Sequence, residues 1–340
     1  MIVLGIETSC DDTCAAVVRD GFEILSNVVS SQEEIHREYG GVVPEIASRH
    51  HDANIVGIYE ESLKRAGLTL DDIDSIAVTR GPGLVGSLLV GLSMAKALAF
   101  GKGLPFVGVS HLGGHLYSVF IPGNGKSRGI FPITERHIGL VASGGHTALF
   151  LVDSPTEYSL IGPTLDDAVG EAFDKAAKFL GLSYPGGPAI EVEAAKWHGD
   201  PIRFTRPSPR QSPYAFSFSG LKTAVINWVR NERTVGNEIS IPRIADSFQK
   251  TVAGTLADRT LAAAVDHGVK RVTFSGGVSA NNYIREYLRG VLRKEGIELF
   301  CPPRELCSDN AAMIAGLGYH YLKEGRCSDW SVNAEVGLKE

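Results

Sequence analysis

The chain has 340 residues, 44% of them apolar and 21% charged, with 33 Lys and Arg against 39 Asp and Glu for a net charge of −6. These figures fit a soluble globular protein of about two lobes. The 39 glycines follow no G-x-y period, which excludes collagen and demands many tight backbone turns. The longest uncharged apolar stretch, 81–95, falls short of the roughly 20 residues that span a bilayer and carries Gly86, Ser87 and Gly91, so no membrane partner is expected.

The opening MIVLGIETSC runs straight into a strand pattern with no basic or Arg-rich leader. Cys10, Cys14, Cys301, Cys307 and Cys327 are too few and too odd in number for a disulfide framework, and a reducing cytoplasm is the expected location.

Residues 2–7 are apolar, 8–12 a small polar turn and 13–18 apolar again, which predicts strand, turn, strand. The pattern recurs at 138–142, Ser143-Gly144-Gly145-His146 and 147–152. Helical stretches follow each copy, at 44–66 and 165–181, so the chain alternates as an α/β protein and reads as two similar lobes with a central cleft. Residues 75–79, 84–100 and 105–109 predict a βαβ unit. Residues 241–267 predict one long helix or two abutting ones, 271–274 a strand ending in Ser275-Gly276-Gly277, and 280–294 the next helix. The connectors at 200–213 and 301–304 are rich in proline.

Between Asp74 and Glu135 there is no acid, but there are Arg80, Lys96, Lys102, Lys126, Arg128, His111 and His115. This is either a buried βαβ core with incidental cations or an electropositive wall suited to phosphate. Gly81-Pro82-Gly83-Leu84-Val85-Gly86 matches G-x-G-x-x-G between strand and helix, yet no acid follows about 20 residues on to hold a ribose, so a dinucleotide fold fails. What remains is a glycine turn that brings backbone N–H groups to a helix N-terminus. Gly125-Lys126-Ser127 resembles the end of a P-loop but lacks its first glycine, and G-x-S-x-G does not occur.

His111-Leu112-Gly113-Gly114-His115 sets two imidazoles at i and i+4, one face of a helix. They are either adjacent metal ligands or a hydrogen-bonded pair at a lobe boundary, and the missing glutamate after His111 weakens a metalloprotease. Asp309 stands at the start of an apolar helical run, as a helix cap or as the carboxylate that would complete a two-histidine site. Glu171 and Asp174 lie on an acidic helix leading to Tyr184-Pro185-Gly186-Gly187-Pro188, a rigid turn that with Asp174 suits a ribose. Ser275 to Asn282 is a second strand-to-helix glycine turn, with Asn281 offering an amide.

GIETSCDDT, YGGVVPEIASRHH, GPGLVGSLLVG, HLGGH, VASGGHT, DDAVGEAFDKAAKFLGLSYPGGP, FSFSGLKT, SGGVSANN and CSDNAAMIA occur in that order almost end to end. Together they resemble the bacterial tRNA N6-adenosine threonylcarbamoyltransferase family, once described as sialoglycoprotein endopeptidases. The resemblance implies the duplicated actin-like ATPase fold, with an N-terminal lobe at 1–130 on which a helix from 309–340 packs and a C-terminal lobe at 131–308. It implies transfer of threonylcarbamoyl from threonylcarbamoyl-AMP to N6 of the adenosine 3′ of the anticodon, in tRNAs reading codons that start with A, with release of AMP.

By the same resemblance His111, His115 and Asp309 would bind one divalent metal, Fe2+ with Zn2+ or Mg2+ as alternatives. Val141, Ala142, Ser143, Gly144 and Gly145 would line the phosphate and acyl side, with Ser143 a catalytic candidate. Asp174 and Gly187 would hold the ribose, and Gly276, Gly277 and Asn281 the adenine side. Asp11 is the candidate for orienting the attacking amine or a water. The family commonly has Leu-Val where this chain has Val141-Ala142. A net charge of −6 is unusual for a chain holding RNA unaided. The expected partners are tRNA, a catalytically silent paralogue on the N-terminal lobe and a small P-loop ATPase, with a homodimer when the chain is alone. The rival reading is a scaffold that binds ATP or ADP with a metal and modifies nothing; a metalloprotease ranks behind it.

Overall fold

The computed structural model describes residues 1–122, 134–206 and 212–337, so Lys126, Arg128 and the Gly125-Lys126-Ser127 turn lie outside the described residues. Two compact units emerge, one of Met1–Glu135, Asp153–Tyr158 and Pro302–Glu340, the other of Arg136–Val152 and Ser159–Cys301.

In the first unit β1 (Ile2–Glu7), β2 (Asp12–Arg19), β3 (Glu23–Ser31), β4 (Ser75–Gly81) and β5 (Phe106–Ser110) form a sheet of order β3-β2-β1-β4-β5. Alternation along the strands divides the side chains between two cores. Leu4, Ile6, Val17, Ile76 and Val78 pack with Ile55 and Leu63 of α2 (Pro44–Ala66) and with Leu92, Ala95 and Ala99 of α3 (Val85–Lys102). Val3, Cys14, Ala16, Val18, Ala77 and Val107 pack with Tyr117 of α4 (His111–Ser118) and with Ala311 to Leu317 of α10 (Ala311–Lys323). A sheet covered on both faces explains why β1 and β2 read as unbroken apolar runs rather than alternating ones. The short α1 (Glu33–Arg37) follows β3.

Helix ends follow local chemistry. Pro44 opens α2 with its preset φ, and Gly67, Gly103 and Gly181 end α2, α3 and α5 (Val169–Leu180) in the left-handed region at φ 68°, 65° and 73°. By length and composition α3 is the one described helix apolar enough to cross a membrane, which the stretch at 81–95 did not suggest because the helix extends to Lys102. Its Leu88, Leu92, Ala95 and Ala99 are spent in the core.

The second unit repeats the plan. β6 (His137–Ala142), β7 (Thr147–Ser154), β8 (Glu157–Pro163), β9 (Arg271–Ser275) and β10 (Glu298–Phe300) form a sheet of order β10-β9-β6-β7-β8. β6 pairs antiparallel with β7 and parallel with β9, just as β1 pairs antiparallel with β2 and parallel with β4. The helices are α5 (Val169–Leu180), α6 (Gly186–Ala194), α7 (Ser219–Thr234), α8 (Ile241–Asp266, one continuous helix) and α9 (Asn282–Arg293). Ile138, Leu140, Val272 and Phe274 pack with Phe173, Phe248, Ile284 and Leu288 from these helices.

The stretch expected to be helical from residue 165 becomes α5 only at Val169. Leu165 N–H donates to Phe216 O at 2.9 Å, and the Asp166 carboxylate accepts from Phe218 N at 2.7 Å and from Ser219 N at 3.2 Å, so the chain there is pinned to the start of α7. The Tyr184-Pro185-Gly186-Gly187-Pro188 segment is likewise more than a turn, because Gly186 is the first residue of α6.

Candidate functional site

The first cluster lies within the first unit. β5 leads directly into α4, whose N-cap Ser110 accepts from Gly113 N at 3.1 Å, so His111 and His115 project from the first turns of a helix buried along its whole length. Their rings meet edge to face with centroids 4.7 Å apart. The third member comes from the far end of the chain. Asn310, not Asp309, caps α10, its Oδ1 accepting from Met313 N at 3.0 Å. That corrects the cap reading of Asp309 and leaves its carboxylate 3.1 Å from His115 Nε2 and 3.6 Å from His111 Nε2. One ligand atom from each of the three residues lies within 4.8 Å of the other two.

Glycines make this convergence possible. A Cβ on Gly114 would sit 2.9 Å from Ile314 Cδ1, one on Gly113 would run into the Tyr158 hydroxyl, and one on Gly5 would strike the Ala311 carbonyl. α4 and β1 can therefore approach α10 only through residues without side chains.

Around the triad stand buried acids. Glu7 is fully buried, and although burial raises its carboxyl, the adjacent His111 imidazole pulls it below the usual range. Burial, with Asp309 adding to it, raises Asp11 against the pull of the Cys10 thiol. Burial and then the charges of Asp309 and Asp11 push Asp12 up to about 7. Among the described residues no lysine or arginine forms an ion pair with Glu7, Asp11 or Asp12. Two imidazoles and a carboxylate, backed by acids without cationic partners, fit a divalent cation of borderline softness.

The G-x-G-x-x-G turn braces this cluster. A Cβ on Gly83 would press on the Ser9 carbonyl, Leu84 N donates to that carbonyl at 2.8 Å, and Thr8 Oγ1 donates to Ser87 O at 2.8 Å. The start of α3 thus fixes the Thr8–Ser9 turn beside His111. The neighbouring cations are committed too: Arg80 pairs with Glu335 at 3.3 Å, Lys96 donates to Val332 O at 2.6 Å and Lys102 pairs with Asp71 at 2.5 Å. Among the described residues, Arg80, Lys96 and Lys102 of the expected cationic stretch therefore each have a partner within the first unit.

The remaining candidates lie in the second unit. Ser143 N donates to His146 O at 2.8 Å and Ser143 Oγ accepts from His146 N at 3.2 Å, closing the turn between β6 and β7. Gly144 and Gly145 have nothing within 4 Å of a notional Cβ. Val141 and Ala142 are wholly buried, so they offer no side-chain surface to a substrate. Gly276, at φ 86°, lays its turn against the Ala142 carbonyl, and Gly277 again faces open space. The two Ser-Gly-Gly turns thus end adjacent parallel strands, β6 and β9, paired through Val141 and Ser275.

On α5, Asp174 Oδ1 accepts from Gly186 N at 2.7 Å and Gly186 packs on the Asp174 backbone, while Gly187 has open space beside it. Asn281 differs from expectation. It caps α9 through Ile284 N at 2.9 Å, its Nδ2 donates to Gln249 Oε1 at 2.9 Å, and it is 7% exposed, so its amide is chiefly structural. Sequence reasoning missed Glu7 and the capping role of Asn310. The signal for Glu7 was its place as the single charge ending an apolar strand.

The duplicated topology and the glycine turns that end paired strands are those of the actin-like ATPase class. Two solved structures share the fold: full-length HypF in its phosphate- and nucleotide-bound form (TM-score 0.64, 15% identity, covering 97% of this chain and 47% of that one) and the activator of the 2-hydroxyisocaproyl-CoA dehydratase from Clostridium difficile (TM-score 0.55, 15% identity, 96% and 97%).

A sequence model of the TsaD family, tRNA N6-adenosine threonylcarbamoyltransferase, matches residues 23–316. Proteins of that name from Caldicellulosiruptor bescii (50% identity over 98% of this chain and 97% of theirs) and Bacillus subtilis (48% over 100% and 96%) align along the whole length. The chain belongs to the tRNA N6-adenosine threonylcarbamoyltransferase family, and its activity is the threonylcarbamoyl modification of N6 of adenosine in tRNA.

Proposed function

We propose that this chain performs the transfer from threonylcarbamoyl-AMP to the adenosine 3′ of the anticodon, releasing AMP, with a divalent metal held by His111, His115 and Asp309. The observation that carries the reading is the meeting of those three side chains within 4.8 Å. Iron is the leading candidate, since two histidines and one carboxylate with open positions suit it, and Zn2+ and Mg2+ are the rivals. When bound, such an ion supplies a Lewis acid for a carbonyl or phosphoryl oxygen.

The chain's own groups do the rest. The exocyclic amine of adenine has a delocalised lone pair and is a poor nucleophile, so positioning and charge stabilisation must carry the reaction. With the Ser143 N–H spent on His146 O, the Gly144 and Gly145 N–H groups of the Ser143-Gly144-Gly145 turn are the ones suited to developing negative charge. Asp174, fixed against Gly186, and the uncrowded Gly187 suit a ribose. Asp11, raised by burial, is the group suited to accept a proton from the amine or to orient it.

For partners, an apolar groove of about 440 Å³ between α2 and α3, lined by Ile55, Val56, Leu89 and Met94, supports docking of a paralogue on the first unit. A small P-loop ATPase partner and a cytoplasmic location complete the proposal, both carried by the resemblance to the family.

The test is transfer of labelled threonylcarbamoyl to unmodified tRNA by protein stripped of metal and then reloaded. Loss on stripping, recovery on reloading and no recovery in His115→Ala are expected. Full transfer by the stripped protein would overturn the metal's role, and nucleotide binding without any transfer would favour the scaffold.

A further inference from the structure

Glu7 ends β1 as a carboxylate with no solvent contact. Its Oε1 accepts from Ser9 N at 2.5 Å, and its Oε2 accepts from Thr79 Oγ1 at 2.5 Å and lies 3.1 Å from His111 Nδ1. A carboxylate has only acceptors, so whatever faces Oε2 must bring a proton. We propose that Glu7 is a positioning residue for the His111 arm: it holds a proton on Nδ1 and so presents Nε2 as a bare lone pair toward Asp309 and a divalent transition metal. This rests on the metal reading above.

A second polar neighbour of Nδ1 is the Ser9 hydroxyl at 3.1 Å, which can donate or accept and therefore selects no tautomer. His115 has no comparable support, its Nδ1 being buried without a hydrogen-bond partner among the described residues. The two imidazoles are thus held unequally. One is locked from behind by an acid, as metal-ligating histidines commonly are, and the other is steadied by packing.

Glutamine at position 7 cannot satisfy this site. If its oxygen takes the Ser9 N–H, its amino group faces Nδ1, makes that nitrogen an acceptor and moves the imidazole proton to Nε2, where the metal should bind. If its oxygen takes Nδ1–H, two donors confront each other at Ser9.

The experiment is zinc affinity by chelator competition for wild type, Glu7→Gln and Ser9→Ala, with circular dichroism on each. Glu7→Gln should bind zinc about 10–100-fold more weakly, and Ser9→Ala within about threefold of wild type. Long-range 1H–15N spectra of zinc-loaded wild type labelled at histidine should show the His111 proton on Nδ1, a reading that stands even if Glu7→Gln fails to fold. Unchanged zinc affinity in a folded Glu7→Gln protein, or Nδ1 as the coordinating nitrogen, overturns the role of Glu7 alone. A wild type that binds no divalent metal overturns it together with the metal reading.

Discussion

Asn310, not its neighbour Asp309, caps α10: one amide oxygen receives Met313 N at 3.0 Å while the adjacent carboxylate stands 3.1 Å from His115 Nε2. Had Asp309 been the cap, its oxygen would be spent on a backbone donor. Asn310→Ala is expected to cost about 1 kcal/mol in urea unfolding and also to lower metal occupancy, since Asp309 becomes the nearest substitute cap. Asn310→Asp keeps a capping oxygen but loses the Nδ2 donation to Ser308 O and buries a charge, so it too should lose stability. Unaltered occupancy in the alanine variant would separate the cap from the site.

The glycines of α4 give a second expectation. Gly114→Val would drive methyl groups into Ile314 and Met313 and push α4 away from α10, costing roughly 1–3 kcal/mol and the metal. Gly113→Ala collides with the Tyr158 hydroxyl, so Tyr158→Phe in the same chain should recover part of the loss. Thermal unfolding of the single and double variants measures the coupling.

Asp12 provides a dependence on pH. Its folded carboxyl is pushed up to about 7 by burial and then by Asp309 and Asp11, whereas an unfolded aspartate ionises near about 3.9. Between those values the unfolded chain has lost a proton that the folded one keeps, so this group lowers stability as pH rises from about 4 to about 7, with no further change beyond. In metal-free protein Asp12→Asn should therefore be more stable than wild type at pH 8, on the order of 4 kcal/mol, and equal to it near pH 4. Equal gains at both pH values would point away from charge.

The YPGG glycines separate fold from binding. Gly186→Ala would press on the Asp174 and Phe173 backbones and should destabilise the second unit by about 2 kcal/mol. Gly187→Ala meets nothing, sits in the first turn of α6 and should leave the melting temperature unchanged or slightly higher. If Gly187 borders the ribose, its variant loses affinity for the adenylate, read by titration calorimetry. Unimpaired binding would remove Gly187 from the site.

The repeated strand-turn-strand at 2–18 and 138–152 was legible because both sheets are covered on two faces, which leaves long apolar runs around short polar turns. The weakly apolar edges were not. β3 and β8 carry exposed Glu23 and Glu157 and take their place from pairing with strands already formed. The start of α5 was misjudged because Asp166 answers to Phe218 and Ser219, some fifty residues away, and no local propensity records that. His111 and His115 were visible as a pair through helical spacing, whereas Glu7 needed the third dimension, since its partner His111 is 104 residues distant.

The packing of α10 against β1 through Gly5 has a consequence for synthesis. A ribosome delivers the first strand, then the histidine helix, and nearly the whole remaining polypeptide before the last ligand emerges. An N-terminal fragment would lack the carboxylate of the proposed site, and a chain stalled before α10 leaves the apolar face of its opening strands uncovered. On the proposed metal reading, loading the cation would thus report that translation has run as far as α10.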